Sequence, residues 1–140
     1  ATNRERVHAV TSGSTCVPCH ARINPAGFAL EHFDSVGAWR DLDNGQPVDA
    51  NGTLQLSAGE TLRFDGPVSL GRELAASSQA RTCYAQRWLS LALGHPVERG
   101  DDPKTDAILD GFVADDHVLE MLVDIVTSDT FRHRRLPDWP

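Results

Sequence analysis

The sequence predicts a mainly α-helical chain with a small β-hairpin insert at about 38–56. Three observations lead there. Apolar residues recur at helical spacing, as in Tyr84, Trp88 and Leu91 and again in Leu119, Leu122, Ile125 and Val126. Helix punctuation brackets those stretches: Gly94 then Pro96 stops one helix, and Asp102-Pro103 starts the next with a capping side chain and a first-turn proline. Two hairpin turn signals, Asn44-Gly45 and Asn51-Gly52, fall in the region that lacks a helical period.

Taken in order, residues 3–10 form a short charged helix with Val7 and Val10 on one side. A Gly/Ser/Thr loop follows and opens a helical turn at about 15–20. The run Ile23-Asn24-Pro25-Ala26-Gly27 breaks that helix, and Gly27 to Phe33 resumes it with Phe28, Leu30 and Phe33 as apolar anchors. Trp39, Leu42, Val48, Leu54 and Leu56 around the Asn-Gly pairs give a hairpin or three-stranded meander. The spacing of Asp41, Asp43, Asp49 and Asn51 fails the calcium-loop pattern, so they read as turn residues. Pro67 to Ser77 is a helix carrying Val68, Leu70 and Leu74. Helices follow over 79–93, then from Pro103 with Ile108, Leu109 and Phe112, and last after a cap at Asp116. No repeat, low-complexity tract or internal boundary stands out, so 1–140 reads as one domain.

Composition bounds the partners. Apolar residues make up 40% and charged residues 24%, as in an average soluble domain. No apolar run approaches the length of a membrane span. With 13 Lys+Arg against 20 Asp+Glu, the net charge of -7 argues against nucleic acid or anionic lipid and suits a basic partner surface. Ala1 to Arg6 contains no apolar signal core, so an export signal would have been removed or lie upstream.

The chemistry concentrates in Cys16-Val17-Pro18-Cys19-His20. C-x-x-C-H is the attachment string of c-type haem: each thiol adds to one porphyrin vinyl, and the histidine meets the iron. Three other uses of the pair fit less well. A thioredoxin-like dithiol wants a strand before it, and Val10 to Thr15 is a polar loop. Zinc wants a second ligand pair, and Cys83 has no Cys or His within three residues. A Cys16–Cys19 disulfide would close a very small strained ring. Cys83 itself reads as a small buried hydrophobe on the 79–93 helix, with a reactive thiol or intermolecular disulfide as the sharper alternative.

Candidates for the opposite face of the iron are His8, His32, His95, His117, His133 and Met121, with another residue or no protein ligand as the remaining option. His8 is the candidate preferred here. It precedes a flexible loop, and its twelve-residue link to His20 reaches about 40 Å when extended, more than two ligands of one iron require. Met121 is the alternative, with a core methionine as its other role. Pro25 offers a backbone carbonyl to His20 Nδ1. Phe28, Phe33, Trp88, Leu89 and Leu122 are packing candidates, and the Trp39 N–H and Arg40 are candidate partners for the propionates.

These residues resemble a known family. Arg4 to His8, Cys16 to His20, and Ile23 to Arg40 with its G-F-A-L-E-x-F-D string are similar to the planctomycete-type cytochrome c domains. Those form the C-terminal part of many large secreted bacterial proteins. The likeness continues in Pro47 to Leu54, in Cys83 with Leu91 to His95, and in Ile125 to Phe131. Two positions depart from the family pattern: Asn24 stands in its D-P-x-G-F, and His95 replaces the arginine of its A-L-G-R. The resemblance implies a cytochrome c-like helical domain with one covalent haem c and an exported, periplasmic or secreted, location. The chain then reads as a monohaem electron-transfer domain, not an enzyme, cut from a longer exported protein. Its redox partner would be a secreted protein such as a copper oxygenase or a quinone-linked dehydrogenase. The alternative is a haem enzyme or gas sensor with an open distal site, served by His8 with Arg4 or Arg6.

Overall fold

The computed structural model describes residues 1–133. Its elements run α1 (Asn3–Thr11), α2 (Val17–Phe28), β1 (Leu42–Asp43), β2 (Gln46–Pro47), β3 (Gly52–Gln55), β4 (Thr61–Phe64), α3 (Pro67–Ala76), α4 (Ser78–Leu93), α5 (Pro103–Asp115), α6 (Val118–Thr127) and α7 (Asp129–Arg132). The fold is mainly helical with two separate two-stranded antiparallel sheets, β1-β2 and β3-β4. The chain divides into two compact units, Ala1–Ala76 and Ser77 onward.

In the first unit, α1 opens on a reciprocal capping box. Thr2 Oγ1 accepts from the Glu5 N–H at 3.2 Å, and the Glu5 carboxylate accepts from the Thr2 N–H at 2.8 Å. The next helix, α2, begins after Cys16 with Pro18 in its first turn, where a missing N–H costs nothing. It then runs through Pro25, where the sequence predicted a break. The proline forfeits one intrahelical bond, and the helix ends three residues on, at Phe28. Residues 29–32 are turns and Phe33 is a bridge residue, instead of the resumed helix expected there. Their backbone is claimed elsewhere: the Arg40 N–H donates to His32 O at 2.7 Å, and Phe33 bridges to Trp39.

The β insert is longer than the sequence suggested. Asn44 and Gly45 both have positive φ, 51° and 79°, and make the expected tight turn of the β1-β2 hairpin. The second Asn-Gly pair is not a turn. Gly52 begins β3 and pairs with Phe64 of β4. A Cβ there would lie 2.2 Å from the Phe64 ring and 3.0 Å from Pro25 O, so this glycine serves close approach. The β3-β4 turn is made lower down, around Gly59 at φ 88°. The insert therefore reaches Phe64 and consists of two hairpins. Ala29, Phe64 and Leu70 form the core beneath it, joined by Ala26 and Leu54.

In the second unit, Ser77 caps α4 by accepting from the Ala80 N–H at 3.1 Å, and Gly94 at φ 74° ends it. Asp102 caps α5 ahead of Pro103, as the sequence predicted. Asp116 does not cap α6. It closes α5 in the left-handed region at φ 58°, a conformation aspartate tolerates, and its carboxylate takes Arg81 at 2.8 Å. His117 caps α6 instead, Nδ1 accepting from the Glu120 N–H at 3.3 Å. The core gathers Ala85 and Leu89 of α4, Ile108, Leu109 and Phe112 of α5, Met121 and Ile125 of α6, and Val97. The buried face of α4 is thus turned from the expected stripe: Leu91 is 73% exposed, and Ala85 and Leu89 take the core positions.

Candidate functional site

The first unit carries an open cleft of about 410 Å³, within the range of small-molecule pockets, roughly 300–1,000 Å³. Its walls follow helical periodicity. From α1 come Arg4, His8 and Thr11, spaced i, i+4, i+7. From α2 come Val17, Ala21, Pro25 and Phe28 with His20 and Asn24 between them, one continuous face. Gly52 and Thr53 of β3 close it. His8 and His20 thus line one cleft from two different helices. The floor is mostly apolar.

Cys16 and Cys19 lie at the N-terminal end of α2, at the cap and in the first turn. Both are free thiols, Cys16 half-buried and Cys19 exposed. His20 follows Cys16 by one helical turn, its N–H donating to Cys16 O at 3.0 Å. Its ring is held by a side chain that the sequence reading overlooked. Nδ1 sits 3.0 Å from Asn24 Oδ1, and Asn24 Nδ2 donates to Thr11 Oγ1 at 2.9 Å. Pro25 was expected to offer its carbonyl to Nδ1. That carbonyl instead accepts the Ala29 N–H at 3.2 Å within the helix, and the proline serves as cleft wall. The i, i+4 spacing of His20 and Asn24 was the available signal for the real partner.

The cation in the cleft is Arg4. Its guanidinium stands 4.6 Å above the Phe28 ring and donates to Asp49 O and Asn51 O, both at 2.8 Å. The Asn51 side-chain and backbone N–H groups, with Arg4 nearby, hold the Asp49 carboxyl below its ordinary value.

Trp39 and Arg40, the residues expected to meet anionic groups, lie outside this cleft and already have partners. Arg40 donates to Asp43 at 2.7 Å, to the Glu31 carboxylate at 2.9 Å and to Glu31 O at 2.8 Å. Asn3 adds its backbone N–H to Asp43 and its amide to Glu31 at 2.7 Å. Together they form a network fastening α1 to the segment after α2. The Asn3 N–H, then the Arg40 and Arg6 charges, pull the Asp43 carboxyl below its ordinary value. The Trp39 indole N–H donates to Asp41 at 3.1 Å, and its ring stacks on His32 at 4.4 Å.

Met121 is 2% exposed in the core of the second unit, its thioether enclosed by neighbouring side chains. His32 is engaged through Nδ1 with Arg40 O at 2.8 Å, and His95 Nδ1 with Pro96 O at 2.9 Å. Cys83 is exposed, against the expectation of a small buried hydrophobe. It falls on the solvent side of α4 because Ala85 and Leu89 set the buried face. Among the described residues, no three His, Cys, Asp or Glu side chains gather as a ready metal site. No described helix is long and apolar enough to cross a membrane.

The first unit thus holds a cleft lined by two histidines, one of them the last residue of the Cys-x-x-Cys-His string. By sequence the chain belongs to the family described as protein of unknown function (DUF1585), whose model matches residues 61–131. Residues 1–43, which hold the cysteine-histidine string, match the model of a second family, protein of unknown function (DUF1588). Both are families of the planctomycete cytochrome c group, and neither description assigns a cofactor or an activity. No curated protein and no solved structure matches the chain.

Proposed function

We propose that this chain is a monohaem c-type cytochrome domain that passes single electrons to or from an exported redox partner. The observation that carries the reading is the pair of histidines, His8 on α1 and His20 on α2, lining one apolar-walled cleft, with His20 directly following Cys19 in the chain; the two cysteines are not themselves among its lining residues. The donor set fits the group. Two free thiols stand one helical turn apart, His20 has Nδ1 engaged and Nε2 left for a metal, and Val17, Ala21, Pro25 and Phe28 offer a wall to a macrocycle. Bound haem would supply the one-electron chemistry. Cys16 and Cys19 would hold it covalently, and the His20 and His8 imidazoles would bind its iron. Arg4, which lines the cleft as Trp39 and Arg40 do not, would be the cation for the haem carboxylates, exchanging its present backbone acceptors for them. Met121 is set aside as distal ligand because its sulfur is enclosed. Covalent haem implies export, so the partner would be a secreted oxidoreductase such as a copper oxygenase or a dehydrogenase.

Arg4 and His8 lining the same cleft also favour a second reading, a haem enzyme or open gas-binding site at which His8 would hold or move a proton and Arg4 would offer a hydrogen-bond donor. One set of measurements tests both. The intact chain, made with haem-maturation machinery, should exceed the polypeptide mass by one haem, and the pigment should survive acid-acetone extraction. A colourless chain of bare polypeptide mass ends both readings. Sharp reduced α and β bands mark a six-coordinate carrier, and a high-spin spectrum that takes up carbon monoxide marks the open site. In the carrier, His8→Ala turns the haem high-spin and Met121→Leu leaves the spectrum unchanged. The reverse pair would make it a His/Met carrier of higher potential.

A further inference from the structure

We infer that Asn24 and Thr11 form a one-way hydrogen-bond relay that sets the tautomer of His20, keeping its proton on Nδ1 and its lone pair on Nε2 before any metal arrives. The relay stands on the geometry of the chain, and its use rests on the haem reading above. Its polarity is dictated from the far end. Val7 O is a backbone carbonyl and only accepts. Thr11 Oγ1 lies 2.7 Å from it within the same helix, so the single hydroxyl proton of Thr11 points there. Thr11 therefore turns a lone pair toward Asn24, 2.9 Å away, and only the amide nitrogen can donate to it. With Nδ2 so placed, Asn24 Oδ1 faces His20 Nδ1 at 3.0 Å. An amide oxygen only accepts, so Nδ1 carries the proton. In a neutral ring this leaves Nε2 as the ligating atom.

The relay explains why position 24 holds an amide. An aspartate could accept from His20 but could not donate to Thr11. The Thr11 hydroxyl would then have to leave Val7 O to donate to the carboxylate, which reverses that link and breaks the one-way order of the relay. Val7 adjoins His8, so the relay also ties the ring of His20 to the turn of α1 that bears His8. Asn24 and Thr11 are positioning residues: they act through His20.

The test has two arms. In the full chain made without haem attachment and labelled with ¹⁵N-histidine, NMR should show the Nδ1-protonated tautomer of His20 in about fivefold excess, the bias a net hydrogen bond of ordinary strength supplies. Thr11→Val should cut that bias severalfold because the Asn24 amide becomes free to turn over. Thr11→Ser should restore it. An Nε2-protonated or averaged ring in the parent chain overturns the proposal. In the haem-bearing chain, Asn24→Asp should lower the midpoint potential by about a tenfold change in the reduced-to-oxidised ratio, ~59 mV for one electron. Asn24→Leu should raise it. If Asn24→Leu does not fold, the Thr11→Val and Thr11→Ser pair decides. Potentials that stay level across all variants also overturn the relay. A chain lacking covalent haem by mass refutes the haem reading instead, and the tautomer measurement then decides the relay alone.

Discussion

The two units hold their helices by different means. The second unit is an apolar assembly: Leu89, Leu109, Phe112, Met121 and Ile125 interlock across three helices, and its longer helices end on capping residues. The first unit has a much smaller core of Ala29, Phe64 and Leu70, and α1 buries no residue at all. That helix is held by polar contacts instead: the Asn3–Glu31–Arg40–Asp43 network at one end and the Thr11–Asn24–His20 relay at the other. The difference teaches where a binding site can form. A helix pair closed by interlocking side chains leaves no cleft, whereas one pinned at its ends by hydrogen bonds keeps an apolar gap between the pins.

This contrast can be broken at several points. The largest effect is expected from Leu109→Ala, which opens a cavity at a fully buried position of the second unit. It should cost about 2–5 kcal/mol in denaturant unfolding, with α5 amides losing hydrogen-exchange protection first. A loss below 1 kcal/mol would mean that this core is not the main support of its unit. Next is Gly52→Ala, where the added methyl meets the Phe64 ring and Pro25 O. The clash should cost about 1–3 kcal/mol and weaken protection along β3 and β4. Unchanged stability would show that the close approach is not needed.

Acid should separate the units further. Because the Asp43 carboxyl titrates below its ordinary 3.8 when folded, its contribution to the first unit is complete above that value. It is lost as pH falls through the depressed folded value. Arg40→Ala should move acid loss of α1 protection to higher pH, since Asp43 then keeps only its Asn3 contact and the more distant Arg6 charge. An acid profile identical to the parent would remove Asp43 from the account. The smallest effect is expected from Arg99→Ala, which breaks a solvated pair with Asp110. It should cost about 0.5 kcal/mol or less, and a larger loss would point to a role beyond the ion pair.

Much of this was legible in the residues. Apolar period and caps located α3, α4 and α5 within a residue or so, because those signals act over a single turn. The Cys16-Val17-Pro18-Cys19-His20 string marked its segment by spacing alone. The errors share a physical cause. Pro25 was read as a break and Asn51-Gly52 as a turn, because local propensity knows nothing of Phe64 pressing on Gly52. Trp39 and Arg40 suit an anionic ligand by residue type, and a sequence does not reveal that Asp41, Glu31 and Asp43 are their partners in the fold. Asn24 stands out in the sequence as a departure from a family pattern and by its i, i+4 spacing from His20.

What the sequence determined by itself is the mainly helical class, the position of most helix ends and the candidate ligands, each carried by interactions within a few residues. Which candidates share a cleft was decided by tertiary structure. His8 and His20 come together because α1 is pinned across α2 by side chains as distant as Asn3 and Asp43. Met121 is enclosed because α6 packs that face against α4 and α5. Those contacts join residues far apart in the chain, and no local pattern encodes which of them form.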